Sequence, residues 1–257
     1  IFVCQECGYE SPQWMGQCIC GAWNSFVEER VLPVDTNPAA RSGAAGSKGP
    51  GGGRPEPLKK VGTADYDRID TGIGELNRVL GGGMVKGSLV LISGEPGIGK
   101  STIIIQTAAN IAASGRTVLY VSGEESEEQI KLRADRVCSS IPDSLYVLAE
   151  TNLENVEAAC ENLKPAFLII DSIQTLYSSQ LDSAPGSVSQ VRLCGNILMK
   201  VAKTNDVPVF IVAHVTKSGD LAGPKTVEHL VDCVLNFSGE RDQELRVLRS
   251  YKNRFGT

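Results

Sequence analysis

Aromatic side chains and long apolar runs are both scarce in this sequence. Phe, Trp and Tyr make up 5% of the 257 residues, but hydrophobic residues make up 42%, so Val, Ile and Leu can build a sizeable core and a wholly disordered chain is excluded. The longest apolar runs, such as residues 167–170 and 209–213, have the length of strands. They fall far short of the roughly 18 residues of a membrane-spanning helix, so we expect no membrane partner.

An excess of basic residues is also missing. The chain has 25 Lys and Arg against 30 Asp and Glu, a net charge of −5, which excludes a protein coated in positive charge. Any contact with nucleic acid must then come from a local patch or an inner channel rather than from the overall field. The N-terminus shows no initiator Met, no basic n-region and no apolar h-region, so we expect missing first residues rather than a secretory leader.

The cysteines do not follow the spacing of a secreted disulfide framework. Four of the eight lie within the first twenty residues, and Cys138, Cys160, Cys194 and Cys233 are scattered among apolar neighbours. The scattered four are most simply small buried hydrophobes in a reducing compartment. This pattern predicts a cytoplasmic protein.

Composition divides the chain into three segments, and no internal repeat is visible. Residues 1–31 are Cys-rich and contain both Trp residues, which predicts a zinc-finger module. Residues 32–58 are rich in Pro, Gly, Ala and Ser, which predicts a flexible tether that buries no core. From residue 59 to residue 257 the composition is that of a compact α/β domain.

Within the third segment, short β-rich runs alternate with amphipathic stretches of helical period. Ser126 and Gln129 have the spacing of a capping box, which marks the start of one helix. Strands alternating with helices predict βαβ units and an α/β fold with a mostly parallel central sheet flanked by helices. The predicted strands are 89–93, 117–122, 145–149, 167–170, 207–213, 231–237 and 245–251, and the other predicted helices are 101–113, 152–163 and 187–203.

The strongest motif, GEPGIGKS at residues 94–101, fits the phosphate-loop pattern between a strand and a helix. Glycines let backbone N–H groups close around phosphate oxygens, and the new helix presents its positive end to the same anion. Lys100 would reach the β- and γ-phosphates of ATP, and the Ser101 hydroxyl would coordinate Mg²⁺. A chance Gly-rich turn is the alternative. The predicted nucleotide-binding residues are Gly94, Glu95, Pro96, Gly97, Ile98, Gly99, Lys100, Ser101, Thr102 and Asp171.

Three polar residues follow other predicted strands. Asp171 ends the run 167–170 and would hold Mg²⁺, although it could instead cap the next loop. Glu124 follows the strand 117–122 and would accept a proton from attacking water; Glu125 is the second choice, and an acidic helix start is the alternative. His214 ends the strand 207–213 and would sense the γ-phosphate, or would be an ordinary hydrogen-bonded histidine.

The cysteines of the first segment form the pattern Cys4-x-x-Cys7, ten residues, then Cys18-x-Cys20, with no His nearby. Four thiolates can hold one Zn²⁺ tetrahedrally and so stabilise a module too short to have its own core. Four free or redox-active thiols are the alternative. A thioredoxin-like site does not fit, because no βαβ pattern surrounds Cys4 and Cys7.

The C-terminal residues 251–256 contain two basic side chains on alternate positions. If the strand predicted at 245–251 continues, Lys252 and Arg254 point the same way and could clamp a phosphate, including one held by a neighbouring subunit. A solvated basic tail is the alternative.

Four sequence features together resemble the bacterial RadA (Sms) family of RecA-like DNA repair ATPases. They are WMGQC at 14–18 with Trp23-Asn24, GEPGIGKST at 94–102, VSGEES at 121–126, and KNRFG at 252–256. The resemblance implies a RecA-like P-loop core, with the sensor strand lying between the phosphate-loop strand and the Asp171 strand. It also implies that Glu124 is the catalytic glutamate, that His214 is the sensor, and that Lys252 and Arg254 act in trans.

The resemblance further implies a hexameric ring that binds single-stranded or branched DNA and promotes branch migration together with RecA recombinase. The DNA-binding loops would be 180–187 and 216–225, and the second contains Lys217 and Lys225, whose alternative is ordinary solvated surface. Two departures from the family are visible. One residue, Ile19, separates the last cysteine pair where the family has two, and the chain ends at Thr257, before the family's Lon-protease-like domain, so we expect a fragment or a truncated form.

Two other classes of function stay open at this stage. One is a KaiC-like or replicative-helicase-type ATPase with another client, against which the cysteine module and KNRFG argue. The other is a nucleotide-gated DNA-binding module without motor activity, against which the presence of Lys100, Ser101, Asp171 and Glu124 argues.

Overall fold

The computed structural model describes residues 2–28, 67–215, 223, 225–239 and 245–256. The predicted tether, residues 32–58, and Lys217 lie outside these described residues. We call residues 2–28 the N-terminal ribbon and residues 67–256 the core domain.

The strands of the described residues are β1 (Phe2–Cys4), β2 (Glu10–Ser11), β3 (Phe26–Glu28), β4 (Arg68–Ile69), β5 (Met84–Val85), β6 (Leu89–Gly94), β7 (Val118–Ser122), β8 (Leu145–Ala149), β9 (Phe167–Asp171), β10 (Val209–His214), β11 (Cys233–Gly239) and β12 (Arg246–Asn253). The α-helices are α1 (Gly74–Val79), α2 (Lys100–Ala113), α3 (Glu127–Val137), α4 (Leu153–Leu163), α5 (Val188–Asn205) and α6 (Lys225–Glu228). A short 3-10 helix covers Ile173–Thr175.

The core domain is organised around a seven-stranded sheet with the order β12-β11-β6-β10-β9-β7-β8. Neighbouring strands run parallel except at the edge, where β12 pairs antiparallel with β11. This arrangement confirms the predicted α/β fold with a mostly parallel sheet. Strand β10 lies between β6 and β9, as the family resemblance implied.

Helices cover both faces of the sheet, which explains why the central strands are continuous apolar runs. Every residue of β6, β7 and β9 is buried. One face packs against α2 and α3, with Phe167 and Phe210 in an edge-to-face contact 5.5 Å apart. The other face packs against α4 and α5. A sheet buried on both sides holds its strand ends rigidly, and the site described below lies at those ends.

Helix starts follow from local side-chain chemistry. The Ser126 hydroxyl accepts a hydrogen bond from the Gln129 amide, and the Gln129 side chain accepts one from the Ser126 amide, so the predicted capping box is confirmed. Asn152 and Ser187 cap α4 and α5 by accepting the backbone amide hydrogen bonds of Asn155 and Gln190. Predicted element bounds differ from the observed ones by a few residues at most, because helix and strand ends depend on such caps and on tertiary pairing.

The strand predicted at 245–251 continues to Asn253 and stops one residue short of Arg254. Lys252 therefore lies on β12, whereas Arg254 follows the end of that strand. The register between β11 and β12 shifts between Val234 and Leu235, which also breaks simple alternation along this edge. The pattern also gave no sign of the antiparallel pair β4–β5 or of α1, which lies between these strands in the chain; all three are too short to show a clear period.

The N-terminal ribbon is a three-stranded antiparallel sheet of order β2-β1-β3. Its small core contains the buried residues Cys4, Cys18 and Phe26. Such a cluster is too small to stabilise a module by apolar burial alone. The cysteines must therefore supply much of the stability of the ribbon. The helices within the described residues include none with the length and hydrophobicity needed to cross a bilayer.

Candidate functional site

The phosphate loop connects β6 to α2. A Cβ atom on Gly94 would lie 2.3 Å from the Phe237 carbonyl oxygen, so the loop can pass this strand only without a side chain. Gly99 has a φ of 109° immediately before α2, a conformation that glycine adopts without strain. The tip, residues 95–97, is exposed, and Ser101 and Thr102 lie half-buried in the first turn of α2. The loop thus leaves its backbone open to an anion.

Lys100 is folded back into this loop. Its side chain is buried, and Nζ donates hydrogen bonds to the carbonyl oxygens of Gly94 at 2.8 Å and Glu95 at 2.9 Å. Burial lowers the pKa of Lys100, and the negative charges of Asp171 and Glu124 counteract that change. The site therefore combines a buried positive charge, two carboxylates and an open glycine loop. Such a combination is suited to binding a polyphosphate together with the cation that accompanies it.

Asp171 ends β9 and is 5% exposed. Its Oδ2 accepts a hydrogen bond from the hydroxyl of Tyr120 at 2.6 Å, and its carbonyl oxygen accepts one from the Gly123 amide. The peptide bond to Ser172 is cis. The following 3-10 helix has no side-chain cap, so the capping role considered for Asp171 is not observed. Tyr120 was not identified from the sequence, because a tyrosine in an apolar strand looks like any other core residue.

Glu124 lies directly across the strand ends from Asp171. Its Oε1 accepts a hydrogen bond from the Ser172 hydroxyl at 2.6 Å and lies 3.2 Å from Nε2 of His214. His214 lowers the pKa of Glu124 most strongly, burial opposes this, and the Ser172 hydrogen bond lowers it further, to about 2. Glu124 is therefore an anion at neutral pH.

His214 is held by its backbone rather than by its ring. The Gln174 side chain donates to the His214 carbonyl oxygen at 3.0 Å and accepts from the His214 amide at 3.4 Å. Within the described residues, both ring nitrogens are buried without a hydrogen-bond partner of good geometry, although Nε2 is close to Glu124. Nδ1 is thus the ring nitrogen that Glu124 does not engage.

Glu125, the second choice for the base, is engaged elsewhere. It forms a salt bridge with Arg133 on α3, and the Ser122 hydroxyl accepts the amide hydrogen bonds of both Glu124 and Glu125. The predicted helix-start role fits Glu127 and Glu128, which lie in the first turn of α3. The two adjacent glutamates therefore have different surroundings, and it is Glu124 that interacts with Lys100.

The four cysteines of the ribbon come together despite the short spacer at Ile19. Their Sγ atoms all lie within 4.8 Å of one another, with Cys7 and Cys18 at 3.5 Å and Cys4 and Cys20 at 3.9 Å. Zn–S bonds of about 2.3 Å in a tetrahedron require S–S separations of about 3.8 Å. The donor set and its spacing therefore fit one tetrahedral metal ion.

The ribbon contacts helix α5 through Arg192. The guanidinium of Arg192 donates to the carbonyl oxygens of Gly8 at 2.6 Å and Cys7 at 3.2 Å. A Cβ atom on Gly8 would collide with Arg192 and Val188, so this close approach requires glycine. The sequence gave no signal for this contact, because it joins residues far apart in the chain.

Lys252 and Arg254 lie far from the phosphate loop of their own chain. Lys252 Nζ donates to the carbonyl oxygens of Glu228 at 2.9 Å and His229 at 3.4 Å, and burial followed by the Arg254 charge lowers its pKa. The Arg254 guanidinium donates to Oδ1 of Asp232 at 3.3 Å. These contacts place both cations near the amino end of β11. Gly94, in contrast, lies at the carboxyl end of the parallel neighbour β6.

Asp232 is a functional candidate that sequence reasoning missed. Its side chain is 4% exposed and contacts Lys203 Nζ at 3.0 Å and Arg254 Nη1 at 3.3 Å, while Oδ2 also accepts from the Leu89 amide at 3.0 Å. The sequence feature that could have revealed it is a single carboxylate inside the apolar run 231–235. A buried Asp needs hydrogen-bond or charged partners, so its presence there indicates such partners nearby.

The structure describes all of the predicted DNA-binding loop 180–187 but only part of the loop 216–225. Loop 180–187 contains no Lys or Arg, and the buried Gln190 donates to the carbonyl oxygens of Ser178, Leu181 and Ser183 at its start. In loop 216–225 most residues lie outside the described part, but Lys225 is exposed as the first residue of α6.

Comparison with known proteins agrees with this architecture. Residues 54–220 match the model of the AAA domain family, and residues 2–28 match a rubredoxin metal binding domain. The chain belongs to the AAA domain family. Over its whole length it is 54% identical to the DNA repair protein RadA of Bacillus subtilis, 54% to that of Streptococcus pyogenes and 50% to that of Listeria monocytogenes. The resemblance expected from the sequence is therefore confirmed. The chain spans about 55% of the length of these relatives.

Proposed function

We propose that this chain is an Mg²⁺-dependent ATPase that DNA stimulates and that acts in DNA repair and recombination. The name of its relatives, DNA repair protein RadA, supports the role in repair. One observation carries the proposal. Four adjacent strands, β6, β10, β9 and β7, end at the same edge of the sheet. These ends hold the phosphate loop with Lys100, then His214, Asp171 and Glu124. Ligands of open α/β sheets bind at the carboxyl ends of the strands.

Each side chain has a chemical task in this proposal. Backbone amides of the loop hold the phosphates, and Lys100 exchanges its carbonyl contacts for phosphate oxygens. Mg²⁺, held by Ser101 and Asp171, would neutralise charge on the transferred phosphoryl group. Glu124 accepts the proton of the attacking water. A carboxylate with a pKa of about 2 is a weak base, but the arriving phosphate charge raises that pKa, and His214 then leaves Glu124 for the phosphate.

Two substitutions test the assignment of the chemistry. Lys100→Ala should abolish nucleotide binding and turnover. Glu124→Gln should keep nucleotide binding and slow hydrolysis by roughly 10²-fold or more, since only the base is lost. Glu125→Gln is the matched control and should hydrolyse ATP at the wild-type rate, because its partner is Arg133. If Glu124→Gln hydrolyses ATP normally while Glu125→Gln does not, the base is Glu125. Normal turnover by both variants would mean that neither glutamate is the base, and it would contradict this mechanism.

We propose zinc as the metal of the ribbon, because four thiolates at tetrahedral spacing are the donor set that structural zinc sites use. Protein purified without chelator should contain one zinc per chain by elemental analysis. Cys20→Ser should lower this content, whereas Cys138→Ser, in the core domain, should not. A zinc-free wild-type protein would contradict the assignment.

We propose that the subunits form a ring in which Lys252 and Arg254 complete the neighbour's site. A trans arginine can increase turnover on the order of 10³-fold. Arg254→Ala should keep nucleotide binding but lose DNA-stimulated turnover. Mixing it with Lys100→Ala should restore some activity, since a mixed ring pairs an intact loop with an intact basic edge. Wild-type turnover of Arg254→Ala in the presence of DNA would exclude the trans role.

The substrate and the partners complete the proposal. The ring would bind single-stranded or branched DNA through Lys217 and Lys225 and drive branch migration with RecA recombinase in the cytoplasm. Lys225 is exposed at the start of α6, which favours a contact with phosphate. Lys225→Ala should weaken single-stranded DNA binding in a salt titration without changing basal ATP turnover, and unchanged DNA affinity would remove Lys225 from the interface.

A further inference from the structure

Tyr120 is a fully buried tyrosine whose hydroxyl meets the carboxylate of Asp171. In the parallel pairing of β7 and β9, Tyr120 lies opposite Ile169, so Tyr120 and Asp171 lie on the same face of the sheet. The hydroxyl donates to Asp171 Oδ2 at 2.6 Å, and the two residues are 0% and 5% exposed. The hydrogen bond is therefore short and shielded from water.

The geometry gives the direction of this hydrogen bond. The Tyr120 hydroxyl donates, and Oδ2 of Asp171 accepts. A phenol has a single O–H to donate, and here it is committed to the Asp171 carboxylate. The ring of Tyr120 packs in the apolar cluster on the α2 face, a task that Phe would perform equally well. The hydroxyl is the one part of this side chain that packing does not explain.

We propose that Tyr120 is a positioning residue for the metal–nucleotide site. By engaging Oδ2, it fixes the rotation of the Asp171 carboxylate, and Oδ1 would be the oxygen left to hold the ion that accompanies the nucleotide. The inference rests on the proposed function, which places Asp171 beside Mg²⁺. Groups that orient a metal-binding carboxylate typically change metal affinity or activity by 10- to 100-fold when they are removed.

Tyr120→Phe tests this directly, because it removes one oxygen and keeps the ring that fills the core. Mn²⁺ binding is measured by the electron paramagnetic resonance of the free ion, with a nonhydrolysable ATP analogue present. We expect the Mn²⁺ dissociation constant to increase on the order of tenfold, with metal-free binding of the analogue unchanged. The matched control is Tyr146→Phe on the neighbouring strand β8, which is 47% exposed and should bind Mn²⁺ as wild type does.

The outcomes separate this inference from the proposed function. A wild-type protein that binds no Mn²⁺ with the analogue would overturn the proposed function and this inference with it. A wild-type protein that binds Mn²⁺, beside a Tyr120→Phe variant with the same constant, would overturn the role of Tyr120 alone. A melting temperature lowered without any change in the Mn²⁺ constant is the result of a merely structural hydrogen bond, and it would also overturn the inference.

Discussion

Asp232→Asn is the substitution that most sharply tests how the C-terminal basic edge is held. The carboxylate of Asp232 is 4% exposed and joins three partners, the Leu89 amide, Lys203 and Arg254. Asn keeps the size and one acceptor oxygen but removes the charge. The substitution therefore changes the electrostatic interactions of residue 232 with its three partners and leaves the packing around it nearly intact.

The magnitude follows from the exposure of the partners. A buried hydrogen bond such as the Leu89 contact contributes about 1.5–3 kcal/mol with a charged acceptor and about 0.5–1.5 kcal/mol with a neutral one, so Asn weakens it by about 1–1.5 kcal/mol. The side chains of Lys203 and Arg254 are 46% and 54% exposed, so solvent screens both ion pairs and each adds about 0.5 kcal/mol or less. We expect Asp232→Asn to lower the free energy of unfolding by about 1–2.5 kcal/mol.

Urea denaturation followed by circular dichroism measures this loss. Asp206→Asn is the matched control, because Asp206 is exposed and its φ of 53° suits Asn equally well. A double-mutant cycle with Arg254→Ala should give a small coupling energy of about 0.5 kcal/mol or less, because solvent screens that ion pair. A loss below about 0.5 kcal/mol for Asp232→Asn, or a coupling energy well above about 1 kcal/mol, would refute the reasoning.

Three further predictions concern the other contacts of the site. The Glu124 carboxyl should titrate near pH 2 by NMR, and in His214→Ala its pKa should rise toward the ordinary 4.5. The stability that Glu124 contributes is present above pH 4.5 and is lost as the pH falls toward 2. An unshifted wild-type pKa would contradict this. Gly123→Ala should keep nucleotide binding but slow turnover, since the new Cβ would lie 2.1 Å from Thr175 Oγ1 and must displace the strand end; wild-type kcat would contradict it. Arg192→Ala should increase hydrogen exchange across the N-terminal ribbon, and unchanged protection would mean that the ribbon does not dock on α5.

The central sheet was predictable because its strands are buried on both faces and read as short apolar runs between glycines and caps. The runs at β6, β9 and β10 needed no tertiary information, and neither did the phosphate loop between β6 and α2. The end of β12 was not predictable in the same way. It ends where its partner begins, since Asn253 pairs with Cys233, the first residue of β11, and no breaker in the local sequence marks that point.

The site was predictable where each residue ends its own strand, and not where residues meet across strands. Lys100, Glu124, Asp171 and His214 each follow an apolar run, and parallel strands bring such ends to one edge. Tyr120 and Asp232 carry no such mark. The role of each depends on the register with a neighbouring strand, which the sequence does not specify by itself.

The position of Arg254 indicates that one subunit cannot complete the proposed site alone. The Arg254 amide donates to the Asp232 carbonyl, and the Asp232 amide donates to the Leu89 carbonyl, so Arg254 is level with the start of β6. The phosphate loop begins at the other end of that strand, at Gly94, five residues and therefore about 16 Å away. An extended arginine side chain does not span that distance, and the guanidinium is already bound to Asp232. If Arg254 acts on a phosphoryl group, that group must belong to a neighbouring copy, and Asp232 then sets the position from which the guanidinium reaches it.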